Sequence, residues 1–366
     1  MDVAVIGGGI AGISVAAELA SAGVRVVLLE QEDQLAYHSS GRSAAAFLES
    51  YGSPEIRALT RASRPVLAGT GDAAAETSLL SPRPLIWLAA PSEAEELSAL
   101  LEAEPLLRPA TDAEVRRLCP VIRPGWAAGA AIEPGAQDLD VAGLFQHYRR
   151  RALAAGAVLQ TRAALMSGKP DGKGWVLHTA AGEIRADAVV NAAGAWADQV
   201  AVRCGVEPVG LRPLRRTVAI VSAEVSRDWP LVCDLGERFY FRPEGDALLL
   251  SPADETPTEP GDARPEPEDI ALAIERANEA TTLGLRHVRT SWAGLRTFAP
   301  DRNPVVGEDP ACPGFFWLAG QGGYGMQTAP AMARLAAATV LGAPTPPDIA
   351  AEGLDPQRLA PARLRP

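Results

Sequence analysis

Residues 3–6 are continuously apolar, glycines follow at 7, 9 and 12, and apolar residues then recur at helical spacing over 10–22. A second strand-like run over 25–29 ends on Glu30. A short apolar run bounded by glycine predicts a buried strand, and the switch to a period near 3.6 predicts a helix. The opening is therefore a strand, a tight turn, a helix and a second strand. The chain repeats the form near its other end, where PGFFWLAGQGGYGMQTAPAMARLAAATVL (313–341) reads as strand, glycine-rich loop and long apolar helix.

Between these ends the pattern is more broken. Residues 54–70, 92–103, 140–155 and 268–281 have helical periodicity, with Ser92 as N-cap and Glu95 completing a capping box. Residues 38–47 (HSSGRSAAAF) are small enough to form a helix whose N-terminus faces a phosphate. Strand-like runs stand at 85–89, 158–159, 176–178 and 188–190, and NAAGAWAD (191–198) reads as strand end, turn and helix start. Residues 216–223, 230–235, 238–242 and 247–251 alternate in the strand manner, and 286–297 are strand-like, which predicts an antiparallel sheet. Residues 252–267 (PADETPTEPGDARPEP) read as a surface loop and 343–366 as a loosely packed tail.

Gly7, Gly9 and Gly12 have GxGxxG spacing. In a strand–turn–helix setting such glycines let the turn be tight, let backbone approach a pyrophosphate and let helix pack close on strand. The helix start, with Ile10 and Ala11, offers free N–H groups to phosphate. Glu30, with Gln31 beside it, closes the second strand where an acid can accept hydrogen bonds from ribose hydroxyls. The context points to dinucleotide binding.

Composition narrows the class. At 366 residues the chain exceeds what one core ordinarily holds, and 47% hydrophobic content is ample for one large or two interleaved domains. A net charge of −11 argues against nucleic acid and against an anionic membrane surface. The cysteines at 119, 204, 233 and 312 form no CxxC, and the histidines at 38, 147, 178 and 287 have no metal-ligand spacing. Neither a disulfide framework nor a metal site is expected. The N-terminal apolar stretch is broken by glycine and lacks a basic flank, so it reads as neither a signal peptide nor a membrane span. The expectation is a cytoplasmic protein, with peripheral membrane association left open.

Three groups of residues carry a resemblance: GGGIAG with Glu30, HSSGRSAA with NAAGAW, and WAGLRTFAPDRNPVVG with AGQGGYGMQT. Over nearly the whole chain they resemble the D-amino-acid oxidase (DAO) type of FAD-dependent oxidoreductase. Within that group YHSSGRSAA, LLSPRP, LRR, FYFRP, SPA, EATTL and QGGYG are most similar to the bacterial FAD-dependent D-arginine dehydrogenases. The resemblance implies an α/β fold, α+β overall. A glutathione-reductase-like Rossmann domain (1–78, 138–207 and 289–366) would bind non-covalent FAD. An inserted mixed, largely antiparallel-sheet domain (79–137 and 208–288) would bind substrate. It also implies oxidative deamination of D-amino acids, with hydride passing from Cα to flavin N5 and the imine hydrolysing to a 2-oxo acid and ammonia. Such chemistry needs a neutral α-amine and no protein nucleophile. The electron acceptor is open between a quinone, another carrier and oxygen.

The same resemblance assigns residues. Arg296 sits where the family places its carboxylate-clamping arginine, and a guanidinium can bind a carboxylate bidentately. Its neighbours Trp292, Leu295 and Phe298 argue independently that it is not a merely solvated arginine. Arg216, Tyr51 and Tyr240 would face the substrate carboxylate, the Gly323 carbonyl would accept from the amine, and Gln327 would complete the substrate site. Gly41, Arg42 and Ser43 would touch flavin or phosphate, and Ala164 would offer backbone to adenine. Ala193, Gly194 and Trp196 would line the nucleotide cleft. Gly322, Gly323, Tyr324, Gly325, Met326, Gln327 and Thr328 would meet the flavin's pyrimidine end. His38 reads as structural.

Two departures bear on substrate. Leu85, after the SPRP run, replaces an acid that faces a basic side chain in D-arginine dehydrogenases, and Ala46 and Phe47 replace a histidine and a tyrosine. Leucine offers only apolar contact, so apolar or uncharged side chains are expected over D-arginine, unless Glu49 or Glu237 reaches the pocket. The alternatives are a glycine or sarcosine oxidase, a 2-hydroxy-acid dehydrogenase, an NAD-dependent dehydrogenase and a non-catalytic nucleotide-binding regulator.

Overall fold

The structure is a computed structural model that describes residues 1–70, 75–172 and 174–365. A six-stranded sheet runs in the order Val305–Glu308, Phe315–Ala319, Ala188–Asn191, Asp2–Ile6, Arg25–Leu29, Val158–Gln160. Its neighbours are parallel except the first pair. Residues 3–6 of the strand Asp2–Ile6 are continuously apolar because both of its faces are covered. Val3 and Val5 pack into the core that includes the helices Ile10–Ser21 and Gly325–Val340, while Ala4 and Ile6 pack into a second core with Trp175, Val200 and Trp317. The two ends of the chain thus meet in one layer, as their shared strand–glycine–helix form predicts.

A larger sheet stands beside it. Its order is Gln321–Gly322, Val288–Phe298, Arg212–Val221, Ala247–Ser251, Tyr240–Glu244, Leu231–Asp234, Leu85–Ala89, Gly129–Glu133, Arg108–Ala110. Every neighbouring pair is antiparallel except Leu231–Asp234 with Leu85–Ala89. One face packs on the helix Pro267–Ala280 through Ala273, Ala277 and Ala280. The other bears Leu85, Trp87, Leu231, Cys233 and Tyr240 and roofs the cleft between the sheets.

Several sequence expectations change. The strand Val288–Phe298, placed by the resemblance in the nucleotide domain (289–366), pairs along its length with Arg212–Val221 in the large sheet. Residues 38–47 form only a 3-10 turn, Ser39–Arg42, and a two-residue strand, Ala46–Phe47. The capping box at Ser92 and Glu95 is absent. Those residues are exposed, and Glu93 instead accepts from the Ala90 amide before the helix Ala94–Ala103 begins. The tail is anchored rather than loose: Ile349 and Leu359 are fully buried, and Arg365 bonds the Asp309 carboxylate and the Glu207 and Pro208 carbonyls. No described helix is long and apolar enough to cross a membrane.

Gly12 makes the close contact that the fingerprint implies. A Cβ there would lie 1.8 Å from the Gly7 carbonyl oxygen, which is backbone and cannot move aside alone. Gly12→Ala is expected to cost about 3 kcal/mol or more in urea unfolding. Gly135→Ala, where a Cβ would meet nothing within 4 Å, should stay within about 0.5 kcal/mol of wild type. Equal effects at the two positions would contradict the packing argument.

Candidate active site

One cleft runs from the carboxyl ends of the parallel strands, past the turn at 7–11, to the roof formed by the large sheet. That is where open α/β sheets bind ligands. Gly7 has φ +107°, and a Cβ on it would lie 2.5 Å from the Ala192 carbonyl. Glu30 is buried and accepts from the Gly8 amide at 2.6 Å and the Glu32 amide at 2.9 Å, one on each oxygen. Each oxygen keeps a lone pair for a ribose hydroxyl. The Ile10 amide at the helix start is held by Ser40 Oγ at 2.8 Å, a contact that no motif in the sequence marks.

Most of the expected nucleotide residues line this cleft: Gly7, Gly9, Ile10, Ala11, Glu30 and Gln31 on the first strand–helix unit, with Ala164, Ala193, Gly194 and Trp196 beyond. Ser43, Gly322, Gly323, Gly325 and Met326 line its other wall. His38 is also there, bonded to Glu32 at 2.9 Å and packed on Trp196 with ring centroids 4.5 Å apart. Four expected cofactor residues are not on the lining, each for a structural reason. Gly12 serves helix–strand packing, and Gly41 abuts the Ala36 carbonyl. Thr328 is fully buried and its hydroxyl donates to the Tyr324 carbonyl. Tyr324 packs on Tyr51 and Phe298. Arg42 lines the cleft, yet its guanidinium is committed to the Ala263 and Ala293 carbonyls and the Asp262 carboxylate. It ties down the 252–267 loop from its place on the cleft wall.

The roofed end of the cleft is built around Arg296. Its guanidinium lies against Gly323, where a Cβ would come within 2.8 Å of Cζ. Tyr51, Tyr240 and Tyr324 surround it. Burial works to lower the Arg296 pKa, but the phenolic oxygens of those tyrosines outweigh it, and the net shift is upward. Among the described residues Arg296 forms no ion pair, unlike Arg216, which donates to the Asp254 carbonyl at 2.8 Å and approaches Glu255 at 3.3 Å. The Tyr240 hydroxyl is buried in the wall with no hydrogen-bond partner among the described residues. Burial pushes the Tyr51 phenol well above its ordinary range and raises Tyr324 as well. Both remain donors.

Two expected substrate residues act differently. Gln327 donates to the Leu48 carbonyl and Thr60 Oγ1 and accepts from the Leu48 amide, so its amide group is spent fixing backbone beside the cleft. Leu85 is fully buried behind the wall, and the lining residue of its strand is Trp87. Glu49 is held away by Arg64, whereas Glu237 does line the cleft, 3.4 Å from the Tyr51 hydroxyl. Glu133 is marked by no motif in the sequence. Burial raises its carboxyl pKa, and it accepts from Ser50 Oγ and the Glu49 amide, fixing the loop that presents Tyr51. An isolated acid in an apolar strand gave no local sign of that partner.

Gly323→Ala would drive a methyl into the Arg296 guanidinium. It is expected to weaken binding of a simple carboxylate by roughly 100-fold, the scale on which small misplacements act. The nucleotide end should remain loaded. Unchanged carboxylate affinity, read by titration, would show that Arg296 is not held in place by that glycine.

A family model for the FAD dependent oxidoreductases (DAO) matches residues 2–339. The chain is 28% identical over 357 residues to a glycine oxidase of Geobacillus kaustophilus (strain HTA426), covering 90% of each. It is 26% identical over 268 residues to the mitochondrial dimethylglycine dehydrogenase of Mus musculus, covering 69% of this chain and only 30% of that one. The crystal structure of glycine oxidase from Geobacillus kaustophilus matches with a TM-score of 0.85 at 25% identity, over 98% of this chain and 97% of that one. L-α-glycerophosphate oxidase from Mycoplasma pneumoniae, solved with FAD bound, shares the fold with a TM-score of 0.83 at 17% identity, over 93% and 94%. These relatives are named for glycine, dimethylglycine and glycerophosphate, so the narrower likeness to D-arginine dehydrogenases is not what they carry. The glycine cradle and the Glu30 acceptor fit a dinucleotide, FAD is the cofactor, and the chain belongs to the DAO family of FAD-dependent oxidoreductases.

Proposed function

We propose that the chain oxidises the Cα–N bond of α-amino or N-methylamino carboxylates with small uncharged side chains: glycine, sarcosine and small D-amino acids. One observation carries this reading. The Arg296 guanidinium stands in the cleft among phenols, with no carboxylate paired to it among the described residues. A substrate carboxylate would complete it with charge-assisted hydrogen bonds, and the unpartnered Tyr240 hydroxyl is a further donor. The likeness to glycine oxidase along 90% of both chains supports a small amine over D-arginine.

Bound FAD supplies the two-electron acceptor for the substrate Cα–H bond. The turn at 7–9 and the helix start would hold its pyrophosphate, Glu30 its ribose, and Gly322 and Gly323 the edge of its ring. Attachment is taken as non-covalent. Burial raises the Cys233 thiol far above the range in which it is nucleophilic, and His38 is engaged by Glu32 and Trp196. The protonated tyrosines hold the carboxylate and take no proton from the amine, so the substrate reacts as the free amine. A second reading, a D-amino acid with a cationic side chain, draws on Glu237, which lines the cleft without an ion-pair partner among the described residues.

The test is anaerobic reduction of the holoenzyme's flavin by glycine, sarcosine, D-alanine, D-leucine and D-arginine. Bleaching by the small amines first supports the main reading. Preference for D-arginine would move the assignment to Glu237, and no bleaching by any amino acid would overturn both. Arg296→Met should lower kcat/KM by about 100-fold or more, since truncating one partner of a buried charge pair costs about 2–5 kcal/mol, with FAD retained. Near-normal kcat/KM in that variant would refute the clamp.

The pH dependence follows from the raised phenols. With Tyr51 protonated throughout the working range, kcat/KM should rise with pH to a plateau that reports the substrate amine. Tyr51→Phe should lower the plateau and leave the ionisation where it is. A lost or displaced ionisation in Tyr51→Phe would make the tyrosine a base.

A further inference from the structure

We infer that Trp87 is the residue that sets the size of the substrate side chain. The inference rests on the amino-carboxylate reading above. With the carboxylate on Arg296, the side chain is left to run along the roof. There Tyr240, Cys233 and Trp87 face one another in register across three adjacent strands. Strands lie about 4.8 Å apart, so Trp87 starts roughly 10 Å from Tyr240 along that row, and an indole spans much of the distance back. Its ring centroid is 6.0 Å from that of Tyr51, one of the tyrosines around Arg296. The indole therefore stands one ring away from the carboxylate clamp.

Tyr51, Phe239 and Tyr240 are the other aromatic rings lining the cleft there, with the smaller Leu231, Cys233 and Val218 between them, and Leu85 lies fully covered. Tryptophan is also an expensive choice for this position. It is 7% exposed, and its indole N–H has no hydrogen-bond partner among the described residues. A valine or leucine would fill an apolar wall without leaving a buried donor unsatisfied. What the indole supplies and those residues would not is bulk at the end of the side-chain path. Glycine, sarcosine and D-alanine fit in front of it, whereas D-leucine, D-phenylalanine and D-arginine meet the ring.

The experiment compares wild type, Trp87→Phe and Trp87→Val as FAD-loaded enzymes, by anaerobic flavin reduction with D-alanine and D-leucine. Wild type should favour D-alanine by at least tenfold in kcat/KM. The ratio should move toward D-leucine in Trp87→Phe and by tenfold or more in Trp87→Val. Trp87→Phe keeps an aromatic core residue, so the trend stays readable if the valine variant fails to fold. A wild type that oxidises D-leucine as well as D-alanine would overturn the inference, as would a ratio unmoved in loaded variants. In either outcome the amino-carboxylate reading stands. Reduction by neither amino acid, nor by glycine or sarcosine, would remove both.

Discussion

A guanidinium without a carboxylate is the fact around which this cleft is arranged. Most arginines in the chain are tied to an acid or to carbonyls: Arg365 to Asp309, Arg83 to Asp138, Arg42 to Asp262 and two carbonyls. Arg296 is held by phenols and by the absence of a side chain at Gly323. Removing a cation from water without a counter-ion is costly, and a folded protein tolerates it where a ligand supplies the missing charge. The surroundings serve that position. Gly323 leaves it room, Glu133 fixes the loop carrying Tyr51, and Gln327 fixes the backbone at Leu48.

The fold makes the arrangement possible by bringing distant segments to one seam. The parallel sheet draws on residues 2–29, 158–160, 188–191 and 305–319, and its strand ends open directly beneath the roof. The strand Val288–Phe298 carries Arg296 and pairs at its end with Gln321–Gly322, the segment that leads into the helix Gly325–Val340. Arg296 and the glycine loop are thus carried by one hydrogen-bonded unit. A shift of either would be transmitted to the other through backbone rather than through flexible side chains.

The local architecture was largely legible in the sequence because it depends on local rules. The fingerprint strand, helix and second strand, the NAAGAWAD turn and the closing strand–glycine–helix all form where periodicity and glycine spacing predict. Failures came where long-range contacts decide. The tail looked loose because its proline and arginine content says nothing of the Asp309 and Asp301 carboxylates waiting for it. Arg42 is expected at flavin or phosphate, and nothing local in the sequence signals its Asp262 and Ala263 partners in the 252–267 loop. Leu85 and Trp87 lie on one face of one strand, so the sequence could name the wall but not which residue reaches the cleft. Gln327 and Glu133 act through partners far away in the chain, and no spacing rule exposes such pairs.

The central claim is that the cleft binds a carboxylate at Arg296 beside bound FAD. The most direct measurement is a titration of the FAD-loaded protein with acetate and with acetamide, followed through the flavin absorption spectrum. The two ligands have nearly the same shape and differ in charge. A saturable spectral change with acetate and none with acetamide is the predicted result, because only the anion completes the guanidinium. Equal responses to both ligands, or none to either, would contradict a carboxylate site at this position.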